Sequence, residues 1–305
     1  MRYLTEKNWS SSIIKKPEKL KIIAAHIIFF VAAFTLQSCA QSKPIATAEP
    51  AAVAASGNDT FKLEQFIAGR YTMMDVDILN NLYLVTEGNQ LKKLNAKGDS
   101  VAAFNDVKKY GNPTLMDVSN PLKVLLYYKN FATVVMLDRL LSQRNSINFR
   151  QQNIFSVKAI ATSYDNNIWL FDEQDMKLKK IDETGQLLTE TTDWRLLMDT
   201  VPAPEKIMDA NNFVYLYDAA KGFYIFDYYG TFKNNLPFLH WENVSVGTNG
   251  LAGFMGKKYF SYQLQSLQLK TYNLPSFFKD YSSIRAMNGK IYLLKKDGVF
   301  IYAVQ

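Results

Sequence analysis

The chain has 305 residues, is 48% hydrophobic and 14% aromatic, and carries a formal charge of +7 with a single cysteine. The charge is concentrated at the start: residues 1–38 hold Arg2, Lys7, Lys15, Lys16, Lys19 and Lys21 against Glu6 and Glu18, a contribution of +4 that leaves +3 for the remainder. In that remainder the lysines are scattered singly or in pairs through the chain, with no basic tail and no phosphate-tracking stripe, so nucleic acid is not expected as a partner.

The first element is an export signal over residues 1–38, in which Lys15, Lys16, Lys19 and Lys21 precede an uncharged run from Ile22 to Leu36. Such a run falls short of the roughly 20 residues that cross a bilayer, which argues against a permanent span. It ends at Leu36-Gln37-Ser38-Cys39, which resembles the lipobox of bacterial lipoproteins. The resemblance implies that Cys39 becomes the first mature residue and carries acyl chains, each buried methylene adding about 0.8 kcal/mol of membrane affinity. Lipidation also explains a cysteine that has no intramolecular partner in an oxidising compartment. Residues 39–58, rich in Ala, Ser and Pro, bury too little apolar surface to offset the entropy of ordering and are expected to form a flexible tether.

From residue 59 to 305 the composition turns dense in Tyr, Phe, Leu and Ile, and the sequence repeats. Asp77 and Asp165 are 88 residues apart, twice 44, and Asp209 follows after another 44; the turn glycines Gly98, Gly185 and Gly230 keep the same spacing. A period in the mid-forties built from strands predicts an all-β, six-bladed β-propeller, each repeat a small sheet that buries its faces against its neighbours. Aligned on the second strand, the repeats are Asn81–Val85, Pro121–Leu126, Asn167–Phe171, Asn212–Tyr217, Lys257–Tyr262 and Gly289–Leu294. In this alignment Tyr292 follows Tyr259 after only 33 residues, so the last repeat is one strand short, while Thr60–Ile67 is a spare strand ahead of the first. Pairing Thr60–Ile67 with Val299–Val304 would close the ring.

Third strands such as Gln90–Leu94 and Lys177–Ile181 alternate as half-buried strands do, and they lead into Asn95–Gly98, Asp182–Gly185 and Asp227–Gly230. Asp or Asn opening such a turn bonds forward to the backbone, and Gly accepts the positive φ that closes a type I hairpin with a bulge. The strand–turn–strand unit from Asn166 to Gly185 resembles the NHL-type propeller repeat, most clearly at Asp77–Gly98 and Asp165–Gly185. The Asn-His-Arg part of that repeat is replaced here by Gly88-Asn89-Gln90 and Gln174-Asp175-Met176, so contacts made through its His and Arg do not transfer. With the lipobox, the arrangement is similar to six-bladed NHL/TolB-like propeller lipoproteins of the Bacteroidota. That resemblance implies a cell-envelope protein, lipid-anchored in the outer membrane; the absence of an acidic cluster in Ala40-Gln41-Ser42-Lys43 favours the periplasmic side.

Chemistry is sparse. After residue 38 the only histidine is His240 and the only cysteine is Cys39, too few ligands for a zinc site. No cofactor is expected, and calcium is the metal left to consider: Asp75, Asp77, Asp117, Asp165 and Asp209 fall on or near inner strands, where six-bladed lactonases hold calcium. Against that, Asp77, Asp165 and Asp209 occupy one repeat position, as hairpin caps would. The connections between blades carry a recurrent pairing of a cation with an aromatic. Arg70-Tyr71, Trp194-Arg195, His240-Trp241 and Tyr281 with Arg285 are the candidate ligand-binding residues. Each aromatic taken singly reads as readily as a wedge between blades. The expected function is non-catalytic: a binding or scaffolding module for an envelope protein, a peptide or a glycan. The alternative is a calcium-dependent hydrolase or lyase working at the channel mouth.

Overall fold

The computed structural model describes residues 52–54, 61–248 and 250–304, and more than half of them lie in the strands of six largely antiparallel sheets arranged as blades around a central channel. In chain order, innermost strand first, blade 1 is Tyr71–Val76, Leu82–Thr86, Leu91–Leu94 and Ser100–Phe104. Blade 2 is Leu115–Asn120, Lys123–Tyr128, Thr133–Asp138 and Gln143–Asn148. Blade 3 is Val157–Thr162, Ile168–Asp172, Lys177–Ile181 and Leu187–Glu190. Blade 4 is Lys206–Ala210, Phe213–Asp218, Gly222–Asp227 and Phe232–Leu236. Blade 5 is Glu242–Val246, Gly250–Met255, Lys258–Gln263 and Gln268–Asn273. Blade 6 is Tyr281–Met287, Lys290–Lys295 and Gly298–Val304, with Phe61–Ala68 as its outer strand.

That outer strand closes the ring as the spare N-terminal segment predicts. Phe61 pairs with Val304 and Ala68 with Gly298 in an antiparallel ladder, so the two ends of the propeller hold each other in one sheet. Ala52–Ala54, inside the stretch expected as tether, forms a fifth strand on blade 5, parallel to Gln268–Asn273. The signal segment and Cys39 lie outside the described residues.

Stability comes from six cores, one at each interface between neighbouring blades, into which alternate residues of the second and third strands project. The third-to-fourth turns take the form their sequence dictates. Gly98, Gly185 and Gly230 have φ of +86°, +93° and +82°, while Asn95, Asp182 and Asp227 accept two forward backbone N–H groups each at 2.8–3.0 Å. Blade 2 makes the same turn without glycine: Leu141 sits at φ +58°, closed by Asp138, and its side chain is buried in the core between blades 1 and 2. Packing there offsets the cost of a left-handed leucine.

Two expectations are corrected. Lys258–Gln263 is the third strand of blade 5, not the second; the second is Gly250–Met255, and ahead of it the Gly247 N–H donates to the Gly250 carbonyl at 2.8 Å. The shared aspartate position also dissolves. Asp77 caps the first hairpin of blade 1, taking N–H groups from Leu79 and Asn81 at 2.9 Å, but its counterpart in blade 3 is Ser163, with Asp165 two residues later. Asp209 lies on an inner strand.

Candidate functional site

Alternation of strand direction puts the between-blade connections and the second-to-third turns on one face, here the loop face, and the remaining turns on the other. On the loop face Arg70 is largely exposed and reaches Glu87 at 3.8 Å. Tyr71 is half-buried, its hydroxyl donating to the Ala68 carbonyl at 3.1 Å, and burial pushes that phenol up. Trp194 does not face solvent. It is fully buried between blades 3 and 4, stacked on Phe171 at 4.9 Å and on Phe226 at 5.2 Å, and its indole N–H has no acceptor. Arg195 beside it is exposed and paired with Asp193 at 2.5 Å. His240 is exposed at φ +57°, whereas Trp241 is buried between blades 4 and 5, stacked on Phe238 at 4.7 Å and Phe260 at 5.2 Å. Tyr281 is half-buried, its phenol raised by burial. The two tryptophan connections thus sink their aromatic as a wedge and leave the neighbouring Arg195 and His240 exposed.

The apolar surface of this face comes instead from residues that no sequence pattern singles out: Phe131, Phe155, Leu196, Leu239, Met255 and Phe277, each at least 40% exposed. Arg150, Arg195, His240 and Lys279, on the connections of the same face, are also exposed. Large exposed apolar side chains rimmed by cations can contact a partner.

Arg285 is not on the loop face. It projects from the inner strand of blade 6 into the channel, where its Nε donates to Asp75 at 2.9 Å and its Nη1 bonds the Asn243 amide oxygen. Burial works against the Asp75 anion, but Arg285 and Lys206 outweigh it and hold its carboxyl below the usual range. Lys206 is pushed down, by burial first and then by Arg285. Among the described residues no carboxylate lies within ion-pair reach of Lys206, while Asp75 and Asp117 attract it from farther off.

The other carboxylates weighed for calcium are each taken by protein donors. Asp117 accepts the Thr162 N–H at 2.6 Å and the Ser119 N–H and hydroxyl at 3.2 and 3.1 Å. Asp209 takes four donors from its surroundings: Ser163 Oγ at 3.1 Å, Tyr164 N–H at 3.1 Å, Trp169 Nε1 at 2.9 Å and Tyr228 Oη at 2.7 Å. Asp165 pairs with Lys180. Among the described residues there is no group of three or more His, Cys, Asp or Glu side chains arranged for a metal. Asp117 and Asp209 each tie their blade to a neighbouring one, whereas Asp165 and Asp77 bond within their own blades.

No family profile matches the chain, and no curated protein of similar sequence is found. Solved structures do resemble it. Virginiamycin B lyase from Staphylococcus aureus aligns with a TM-score of 0.55 at 12% identity, over 81% of this chain and 89% of that one. The β-propeller domain of Cps50 (Swd1) from Myceliophteria thermophila gives 0.56 at 9% identity, over 81% and 100%. The extracellular domain of the hybrid two-component system BT3049 from B. thetaiotaomicron gives 0.50 at 15% identity, over 77% of this chain and 33% of that one. At these identities the likeness establishes the fold: the chain is a β-propeller.

Proposed function

We propose that the protein is a non-catalytic lipoprotein of the cell envelope whose propeller is a binding or scaffolding module for a protein, peptide or glycan. The observation that carries this reading is a contrast in how polar groups are used. In the channel the carboxylates are consumed by internal donors, whereas the loop face leaves Phe131, Phe155, Leu196 and Phe277 in water, with exposed cations on the same face. Chemistry needs an unspent base or nucleophile, and recognition needs unspent surface. The lipid anchor at Cys39, an outer-membrane location facing the periplasm and the NHL/TolB-like lineage rest on the sequence alone.

Detergent-solubilised protein carrying an affinity tag, captured and analysed by mass spectrometry beside a Leu196→Asp, Phe155→Asp variant, tests the reading. A partner recovered with the parent and lost with the variant supports it, and recovery of bait alone from both counts against it. The calcium-dependent hydrolase or lyase alternative draws on the lyase among the structural neighbours, a fold-level analogy. Calcium-dependent turnover abolished by Asp75→Asn would move the assignment there.

A further inference from the structure

One position of the repeat decides how each blade meets the next. At the centre of the second strand, directly opposite the inner strand, stand Tyr83 in blade 1, Leu125 in blade 2, Trp169 in blade 3, Tyr215 in blade 4 and Tyr292 in blade 6. All are at most 2% exposed and belong to the core shared with the following blade. In blade 5 the ladder places Ala252 there, paired with Ser245 on one side and Ser261 on the other. Blade 4 has Phe213, Tyr215 and Ile225 on the same wall, where blade 5 has Gly250, Ala252 and Ser261.

Large side chains are thus missing from one wall of a single interface, and a cavity of about 670 Å³ opens between blades 5 and 6. Backbone constraints do not account for all of it. A Cβ on Gly250 would lie 1.9 Å from the Tyr262 carbonyl oxygen, so that glycine is imposed by the ladder. Nothing of the kind limits residue 252, since five other blades carry a larger side chain in the same register. Protein interiors ordinarily close gaps far smaller than this one, and its volume falls in the range of small-molecule sites.

The lining says what would fit. Phe61, Tyr259, Tyr272 and Leu274 supply apolar walls, and Tyr259 is tilted 37° to Tyr272 with ring centres 6.0 Å apart. Ser261 and Gln263 supply polar contacts. Among the described residues the one charged member of the lining, Lys290, is paired with Glu64 at 2.7 Å, so none of them turns a free charge to the space. We propose that this cavity is a binding site for an uncharged small molecule bearing an aromatic ring with a hydroxyl, which would take the slot that a tyrosine ring fills in blades 1, 4 and 6. The site lies between blades and stands apart from the loop-face reading above.

The test uses p-cresol, the side-chain analogue of tyrosine, against the parent and Ala252→Tyr, with binding followed by ligand-observed and amide NMR. Saturable binding to the parent is expected, with shifts confined to residues of blades 5 and 6, and at least about a tenfold loss of affinity in the variant, whose circular dichroism and Tm stay at or above the parent's. Ser261→Ile, which copies the residue of blades 4 and 6, narrows the slot from the third strand and gives the same reading should Ala252→Tyr not fold. Absence of saturable binding to the parent, or equal binding to the filled variants, would overturn the proposal. So would shifts that map to the loop face.

Discussion

Trp194 separates structural from ligand-binding use of the connections, because its energetics can be worked out from its surroundings. The indole is fully buried and lies between two phenylalanine rings from different blades. Truncating such a residue to alanine costs about 3–5 kcal/mol from lost transfer and cavity terms. The two stacks, about 0.5–1.5 kcal/mol each, place it at the upper end. One contribution runs the other way: the indole N–H is buried without an acceptor, and removing it returns about 1–3 kcal/mol. Trp194→Ala should therefore destabilise by about 2–4 kcal/mol, which for a domain of this size lowers Tm by roughly 5–15 °C. Trp194→Phe keeps a ring in the stack and removes the orphan donor, so its cost should be within about 1 kcal/mol of zero. Urea and thermal unfolding of both variants, followed by circular dichroism, give the two numbers. A Trp194→Ala protein with an unchanged midpoint would refute the wedge, and a Trp194→Phe protein as damaged as Trp194→Ala would refute the orphan-donor argument.

Gly298 sits at φ +153° where a Cβ would come 2.3 Å from the Ile67 carbonyl oxygen, so Gly298→Val should loosen the strand that closes the ring at a cost of about 2 kcal/mol or more. Hydrogen exchange at Phe61–Ala68 is the readout, and retained protection there would place the latch elsewhere. Asp75, whose folded carboxyl lies below its unfolded value near 3.9, contributes stability that is present above that value and lost as pH falls through the folded one. Asp75→Asn should flatten the acid limb of the stability profile and cost about 3 kcal/mol at neutral pH by stranding Arg285, with much of the loss recovered in Asp75→Asn, Arg285→Met; an unchanged acid limb would contradict this. Arg195→Ala, by contrast, breaks a solvent-screened exposed pair and should leave the unfolding midpoint unchanged, so a clear drop would show that Arg195 is structural.

What could be read from sequence, and what could not, follows from the range of the interactions. The Asn/Asp-x-x-Gly turns were legible because side chain, glycine and bulge act within five residues, and Gly98, Gly185 and Gly230 adopt the expected φ. The turn at Leu141 lacks the glycine signal because its left-handed residue is held by a core shared with blade 1, which local rules do not see. Asp209 looked like a hairpin cap by spacing, yet three of its donors come from blade 3 or its first turn, 40 to 46 residues away. Arg285 and Asp75, 210 residues apart, meet only because the ring closes. For the same reason the paired cations and aromatics were visible as a motif while their division into exposed cation and buried wedge was not.

The slip in the fifth repeat and the cavity beside it have one cause. Alignment by the central aromatic fails in blade 5 because residue 252 is alanine, and the aromatic found at the repeat spacing, Tyr259, 44 residues after Tyr215, belongs to the third strand. Every blade must bury the same kind of face against its successor, so the repeat pattern reports a demand that packing makes equally of all six. A blade that leaves the demand unmet carries the cost of an unfilled interface, and such departures collect where a protein binds something. In blade 5 the backbone imposes Gly250 and not Ala252, so the opening depends on a side chain that a single substitution restores. The irregularity that broke the periodic reading is on this account the most informative part of the sequence about function, and refilling it with the tyrosine of its neighbours puts stability and ligand affinity in opposition within one variant.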